Sequence, residues 1–255
     1  MSTVSKPSLR VERAWGREGI DLVIGCDEVG RGAIAGPVSV GMVAIHPLRA
    51  TALTGVRDSK LMTRPQREEM YEKVRRWGVA SGVGSVSARD VDELGIMEAL
   101  RRAGLQALQA MSADLELAEL ISSGRLRILL DGSFNWLTSG KHQDSLFDVL
   151  ADDDAGSRPD AWLRELGLAV EDLDVQVRPK ADRDCTSVAA ASVLAKVERD
   201  AYMRELATAH PEYGWESNVG YGSSGHYAGI EEFGVTEFHR VTWLKGVTKT
   251  LKEDS

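Results

Sequence analysis

Two apolar runs of strand length end abruptly in acid: residues 22–26 lead into Asp27 and Glu28, and residues 126–130 lead into Asp131 and Gly132. Carboxylates at the ends of buried strands are held on rigid elements. They can converge above one edge of a sheet, where their mutual repulsion is costly unless cations fill the gap. Hard oxygen ligands of this kind suit Mg²⁺ or Mn²⁺. A further acid stands near the start of a run of small helical residues, where a helix dipole favours the ionised form, and both Asp182 and Asp184 qualify by position. A single strand-end Asp reads as a turn or cap residue, whereas three in concert point to a metal site.

The rest of the pattern supplies the scaffold. Residues 37–45 read as a strand paired with the first across a Gly-rich turn, and residues 79–86 as a third strand. Thr63 can cap a helix over 64–77, and apolar positions Val91, Leu94, Leu100, Leu105 and Leu108 predict another over 90–111. After the strand at 126–130 the pattern dissolves until 173–177. The run 186–209 is strongly helical, with small side chains that allow close packing on a sheet. A Gly-rich turn at 220–225 precedes a short helix and a basic tail. Strands in a meander followed by strands alternating with helices predict an α/β fold with a mixed sheet.

Composition bounds the function classes. The 255 residues are 43% apolar and 27% charged, enough for a packed core and unlike a disordered or collagenous chain. The N-terminus lacks the apolar core of a signal peptide and no stretch is long and apolar enough to span a bilayer, so a cytoplasmic location without membrane contact is expected. Cys26 and Cys185 lack metal-ligand spacing and read as reduced thiols, Cys26 as a buried strand residue rather than a nucleophile. A net charge of −8 argues at first against nucleic acid. The distribution reverses that: ten Asp/Glu against three basic residues fall between 141 and 174, while 57–76 carries seven Lys/Arg against four acids and 239–252 carries four Lys/Arg and no acid. The two basic segments are candidate backbone-contact faces. Nothing resembles a coiled coil, and a monomer is the default expectation.

Several motifs in order resemble bacterial ribonuclease HII. They are Gly25-Cys26-Asp27-Glu28-Val29-Gly30-Arg31-Gly32, then Asp58-Ser59-Lys60, Leu130-Asp131-Gly132, Lys180-Ala181-Asp182, the helix from Ala189 to Asp200, Gly220-Tyr221-Gly222 with His226, and His239-Arg240. The resemblance implies an RNase H-like fold: a central mixed five-stranded sheet flanked by helices, plus a C-terminal helical extension. It implies a flexible segment at 1–20, a catalytic domain at 21–210 with an acidic surface insertion at about 138–172, and a basic extension at 211–255 completing the substrate site. It implies Asp27, Glu28, Asp131 and Asp182 as catalytic ligands of two Mg²⁺ or Mn²⁺ ions, selecting Asp182 over Asp184. It also implies that the Gly30-Arg31-Gly32 backbone reads a ribose 2′-OH and that Tyr221 packs on the neighbouring deoxynucleotide's sugar, both sound physically because the 2′-OH separates RNA from DNA and an aromatic face stacks without base preference. The implied activity is endonucleolytic hydrolysis 5′ of ribonucleotides in duplex DNA and in RNA:DNA hybrids. Lys60 and Lys180 are candidate phosphate contacts, against the plain reading of solvated lysines. His226 and His239 read as structural histidines or backbone contacts, with Tyr213 and Trp215 packing under the Tyr221 loop.

The chain departs from the family pattern at Ala181, where Gly is usual, at Ser223, where Thr is usual, and at Asn218-Val219, where His-Lys is common. The first could alter the backbone angle presenting Asp182, and the last could weaken a phosphate contact. Rival readings are the ribonuclease HIII branch, disfavoured by the short segment before the first strand; a silent nucleic-acid-binding module, disfavoured by retention of every carboxylate; and a phosphatase of small phosphoesters, which leaves the two Gly-rich loops without a purpose.

Overall fold

The computed structural model describes residues 6–112, 115–138 and 159–244. Five strands form one mixed sheet in the order β3-β2-β1-β4-β5: β1 Leu22–Val29, β2 Val38–Ile45, β3 Ala80–Val86, β4 Leu126–Asp131 and β5 Val175–Arg178. β2 pairs antiparallel with β1 and β3, whereas β4 runs parallel to both β1 and β5. β1, the central strand, and its neighbour β2 are buried along almost their whole length, as strands covered on both sides must be. The expected strand at 22–26 runs further, so that Asp27 and Glu28 lie inside β1 rather than after it.

Helices cover both faces. α1 Arg10–Arg17, α2 Arg64–Trp77 and the long α8 Thr186–Ala209 lie on one side. On the other lie α3 Ala88–Leu94, α4 Ile96–Met111 and α5 Leu117–Ser122, with Leu100, Ala103, Leu105, Ala107, Leu108 and Met111 buried along α4. The expected start of α2 is present: the Thr63 amide donates to Gln66 Oε1 at 2.9 Å, and Pro65 sits in the first turn. The single helix expected over 90–111 is instead two, because Gly95 takes φ +76° and turns the chain between α3 and α4.

α8 lies against β1 at backbone contact. A Cβ on Gly25 would sit 2.2 Å from the Ser187 carbonyl carbon, and the facing residues Ala189, Ala190 and Ala191 are fully buried. Small side chains on both surfaces thus bring the helix close to the strand that carries Asp27. α1 locks the same junction. Its Glu12, fully buried, accepts from the Ser187 amide at 3.0 Å and the Ser187 hydroxyl at 2.9 Å, while Val11 and Trp15 pack on the core.

Two expectations are corrected here. The stretch 1–20, taken as flexible, contains α1 docked by Glu12 and the buried Leu9. The acidic insertion expected at 138–172 is a packed segment from residue 159 onward: α6 Ala161–Glu165 and the residues after it bury Leu163, Leu168 and Val170 in the main core. Residues 139–158 of that insertion, and the basic tail beyond 244, lie outside the described residues. The remaining helices are α7 Ala181–Asp184, α9 Trp215–Asn218 and α10 Ser224–Phe233. No helix among the described residues is long and apolar enough to cross a membrane.

Candidate active site

The sheet register places the first two acids side by side. Cys26 pairs with Leu130 across the parallel β1–β4 ladder, so the next residues, Asp27 and Asp131, follow on the same face, that of α8. Glu28 falls on the opposite face, the alternation a strand imposes. Asp182 arrives from α7, and the linkage to β4 is direct: the Ala181 amide donates to Asp131 Oδ1 at 2.7 Å and the Asp182 amide lies 3.5 Å from the same oxygen. Asp27 Oδ1 accepts from the Glu28 amide at 2.9 Å, and the Ser192 hydroxyl of α8, joined to Ser59 Oγ at 2.8 Å, opposes the rise of the Asp27 pKa.

The Ala181 departure therefore costs nothing in backbone geometry. Ala181 is the first residue of α7 in helical conformation, and the left-handed turn falls on Lys180 at φ +63°. Ser223 likewise performs the cap, its Oγ accepting from the His226 amide at 3.2 Å. Asn218 organises its own loop, donating to the Tyr213 carbonyl at 2.7 Å and accepting from the Gly220 amide at 2.8 Å.

Electrostatics show acids crowded together. Burial first, then Glu28 and Asp131, push the Asp27 carboxyl well above the usual carboxylate range. Burial, followed by Asp131 and Asp58, raises Asp182 to about 6. Glu28 is raised by burial against the opposing pull of Arg31, whose Nη1 stands 3.4 Å from Glu28 Oε1. Asp58, buried and capping Lys60 through its amide at 3.0 Å, is a member of this acidic field that the sequence reading did not assign. Lys60 faces Asp27, Asp58 and Asp182, which together outweigh the lowering effect of burial and raise its ammonium pKa. The Lys180 side chain, by contrast, is exposed and makes no hydrogen bond or ion pair among the described residues. Cys26 is driven up by burial and by the same three acids, Asp27, Glu28 and Asp131, which suits a packing residue and not a nucleophile.

The donor set fits hard divalent cations. All the candidate ligand atoms are carboxylate oxygens, burial and then the neighbouring acids raise the pKa values of Asp27 and Asp182, so that a bound cation would relieve both, and Glu28 Oε2 is buried without a hydrogen-bond partner. The side chains are turned onto local donors rather than gathered into a closed cage: among the described residues no group of three or more His, Cys, Asp or Glu stands at ligand distance.

Beside the acids lies the Gly30-Arg31-Gly32 loop. Gly30 takes φ +79°, and a Cβ there would lie 2.1 Å from Arg199 Nε. The amides of Arg31 and Gly32 donate to no backbone carbonyl or side chain among the described residues, so two N–H groups stand ready for a ligand. The loop is fastened from behind by two buried arginines whose positions the sequence displayed without revealing their role. Arg199 donates to the carbonyls of Pro37, Ala35 and Val219, and Arg240 to those of Gly36 and Arg31. Neither guanidinium has a carboxylate ion pair among the described residues, and burial lowers Arg240 to about 10. The Tyr221 loop joins the same frame, because the Gly220 carbonyl accepts from both the Ile34 and Ala35 amides at 2.9 and 3.0 Å. Arg199 and Lys196 lie 5.6 and 5.8 Å from the Tyr221 ring centroid. Tyr213 and Trp215 stack beneath, centroids 4.9 Å apart, as expected. The cations of 57–76 are largely matched along α2, where Arg64 pairs with Glu68, Lys73 with Glu69 and Arg76 with Glu72.

An RNase H-like α/β sheet with carboxylates on the adjacent parallel strands β1 and β4, faced by a loop of free main-chain donors, defines a class of nucleic-acid hydrolase. The family model for Ribonuclease HII matches residues 24–128 and 150–246. The Ribonuclease HII of Thermosynechococcus vestitus is 32% identical over 94% of this chain and 92% of its own length, and that of Streptomyces avermitilis 34% identical over 93% and 83%. Among solved structures, the ribonuclease H2 of Pyrococcus horikoshii superposes with a TM-score of 0.60 at 24% identity, covering 88% of this chain and 94% of that one. A chain of the PCNA:RNase HII complex from Archaeoglobus fulgidus gives 0.58 at 24%, covering 92% and 98%. These structures share the fold. The chain belongs to the ribonuclease HII family: it is an enzyme, a ribonuclease H acting on nucleic acid.

Proposed function

We propose that this enzyme cuts the phosphodiester bond on the 5′ side of ribonucleotides embedded in duplex DNA and of RNA in RNA:DNA hybrids, leaving 3′-hydroxyl and 5′-phosphate ends, and so removes ribonucleotides from DNA. The observation that carries the reading is the pair of unpartnered amides at Arg31 and Gly32 beside the acidic field, on a loop bonded through Ile34 and Ala35 to the loop of Tyr221. A main-chain donor can recognise a 2′-hydroxyl, and an aromatic face tethered to it can accept the adjoining sugar. Asp27, Glu28, Asp131 and Asp182 would hold two Mg²⁺ or Mn²⁺ ions, which supply activation of the attacking water and stabilisation of the leaving 3′-oxygen.

The chain's own groups do the rest. Ser192 opposes the rise of the Asp27 pKa, the Ala181 amide orients Asp131, and Lys60 offers an ammonium to the scissile region while balancing Asp27 and Asp182. Arg199 and Arg240 keep the recognition loop rigid by taking its carbonyls inward, which leaves its amides outward. The protein works in the cytoplasm as a monomer, with residues 21–210 as catalytic body and the segment from 211 completing the substrate surface.

The test compares an all-DNA duplex with the same duplex carrying one ribonucleotide, each with Mg²⁺ or Mn²⁺ and with EDTA, and maps the ends formed. The expected result is metal-dependent cleavage of the second duplex alone, at the 5′ side of the ribonucleotide. Equal cleavage of both duplexes, or cleavage insensitive to EDTA, would overturn the reading; hydrolysis of small phosphoesters only would replace it with a phosphatase.

A further inference from the structure

Tyr221 owes its position to a chain of buried hydrogen bonds whose direction can be read from donor chemistry alone. The Tyr221 carbonyl lies 3.0 Å from His226 Nδ1, and a carbonyl only accepts, so Nδ1 carries the proton. His226 Nε2 is then the acceptor in the neutral ring, and it receives the Trp215 indole N–H at 2.9 Å. His239 Nδ1 accepts the Thr236 amide at 2.9 Å, which puts the His239 proton on Nε2, 3.2 Å from His226 Nε2. The directions are then fixed: Thr236 to His239, His239 and Trp215 to His226, whose single Nε2 lone pair the two donors share, and His226 to Tyr221. His226 and Trp215 are fully buried and His239 is 2% exposed, with Tyr213 and Phe238 packed around the rings. Burial also keeps both imidazoles neutral, His239 down to about 4.

The other carbonyls of the loop are fixed from the opposite side. Val219 is held by Arg199 and Gly220 by Ile34 and Ala35, which leaves His226 as the group that fixes the plane of the peptide following Tyr221. Arg199 and Lys196 lie near the ring, and the peptide held by His226 anchors the backbone from which the ring projects. We propose that His226 is a positioning residue for substrate selection: its Nδ1–H holds the Tyr221 ring where the sugar next to an embedded ribonucleotide must stack, and it acts only through Tyr221. The inference rests on the reading of Tyr221 given above.

Side-chain amides separate this role from general support. Asn places its NH₂ where Nδ1 was and can still donate to the Tyr221 carbonyl; Gln places its NH₂ near Nε2 and cannot. Single-turnover cleavage of a duplex with one ribonucleotide and of an RNA:DNA hybrid would be measured for wild type, His226→Asn, His226→Gln, Tyr221→Ala and the His226→Gln/Tyr221→Ala double variant. The expected result is a loss of roughly tenfold for His226→Gln on the single-ribonucleotide duplex, a smaller loss on the hybrid, near-full rescue in His226→Asn, and no further loss for Gln on the Tyr221→Ala background. Equal losses for Asn and Gln, or a Gln loss that persists without Tyr221, would overturn the proposal. If Tyr221→Ala alone cuts at the wild-type rate, it is the role of Tyr221 that fails; if Tyr221→Ala slows cleavage and His226→Gln does not, only the positioning role fails. Imidazole nitrogen NMR of the wild type needs no variant: a proton on His226 Nδ1 and on His239 Nε2 is expected, and a proton on His226 Nε2 instead removes the donor and the proposal with it.

Discussion

Asp131 shows how the site separates charge from packing. Its Oδ1 ties β4 to α7 through the Ala181 amide, an acceptor role that an amide oxygen can also fill, while its negative charge raises both Asp27 and Asp182. Asp131→Asn is therefore expected to lower kcat on a single-ribonucleotide duplex by at least about 100-fold while leaving the thermal midpoint unchanged or higher, since one of several repelling charges is gone. Turnover near wild type, or unfolding, would contradict that division of roles. Of the candidate residues, Asp27, Glu28 and Asp131 could be picked out because they close two apolar strand runs, whereas the helix start offered Asp182 and Asp184 alike and the family resemblance alone chose Asp182. Asp58, Ser192, Arg199 and Arg240 could not be, since a buried Asp or Arg is identified by what surrounds it in space. Arg199 meets the carbonyls of Ala35 and Pro37 more than 160 residues away, a contact no spacing rule contains.

At the level of elements, α8 is the strut. Its small residues let it sit on Gly25, its Ser192 is bonded to Ser59 at 2.8 Å, and its first turn is gripped by Glu12 of α1. Glu12→Ala would strand the Ser187 amide and hydroxyl in a buried setting and is expected to cost about 1–3 kcal/mol, read as a lower urea midpoint with unchanged slope. No shift would mean that α1 is not part of the folded unit. α2, α8 and the strands were legible because their periodicity and caps are strong and local. α1 was not, because its buried anchor is a Glu, the residue type that ordinarily marks a solvated face. The break between α3 and α4 depended on one backbone angle at Gly95, and the packing of α6 on three apolar residues inside an otherwise acidic run.

For the whole molecule, the puzzle is an acidic protein that acts on a polyanion. Ten of its acids lie between 141 and 174, a segment that enters the core from residue 159 on the α4 side, whereas Arg31, Lys60, Lys196, Arg199 and Arg240 gather around the recognition loops. The acids are concentrated in one stretch of the sequence, so the net value says little about the surface around those loops. On the proposed reading, that surface takes its chemistry from Asp27 and Glu28 of β1, Asp131 of β4 and Asp182 of α7. Crystals of the full chain soaked in Mn²⁺ and measured at the manganese edge test this most directly. The account predicts anomalous peaks bounded by Asp27, Glu28, Asp131 and Asp182 that vanish in Asp131→Asn; manganese bound elsewhere, with those four side chains left unligated, would contradict it.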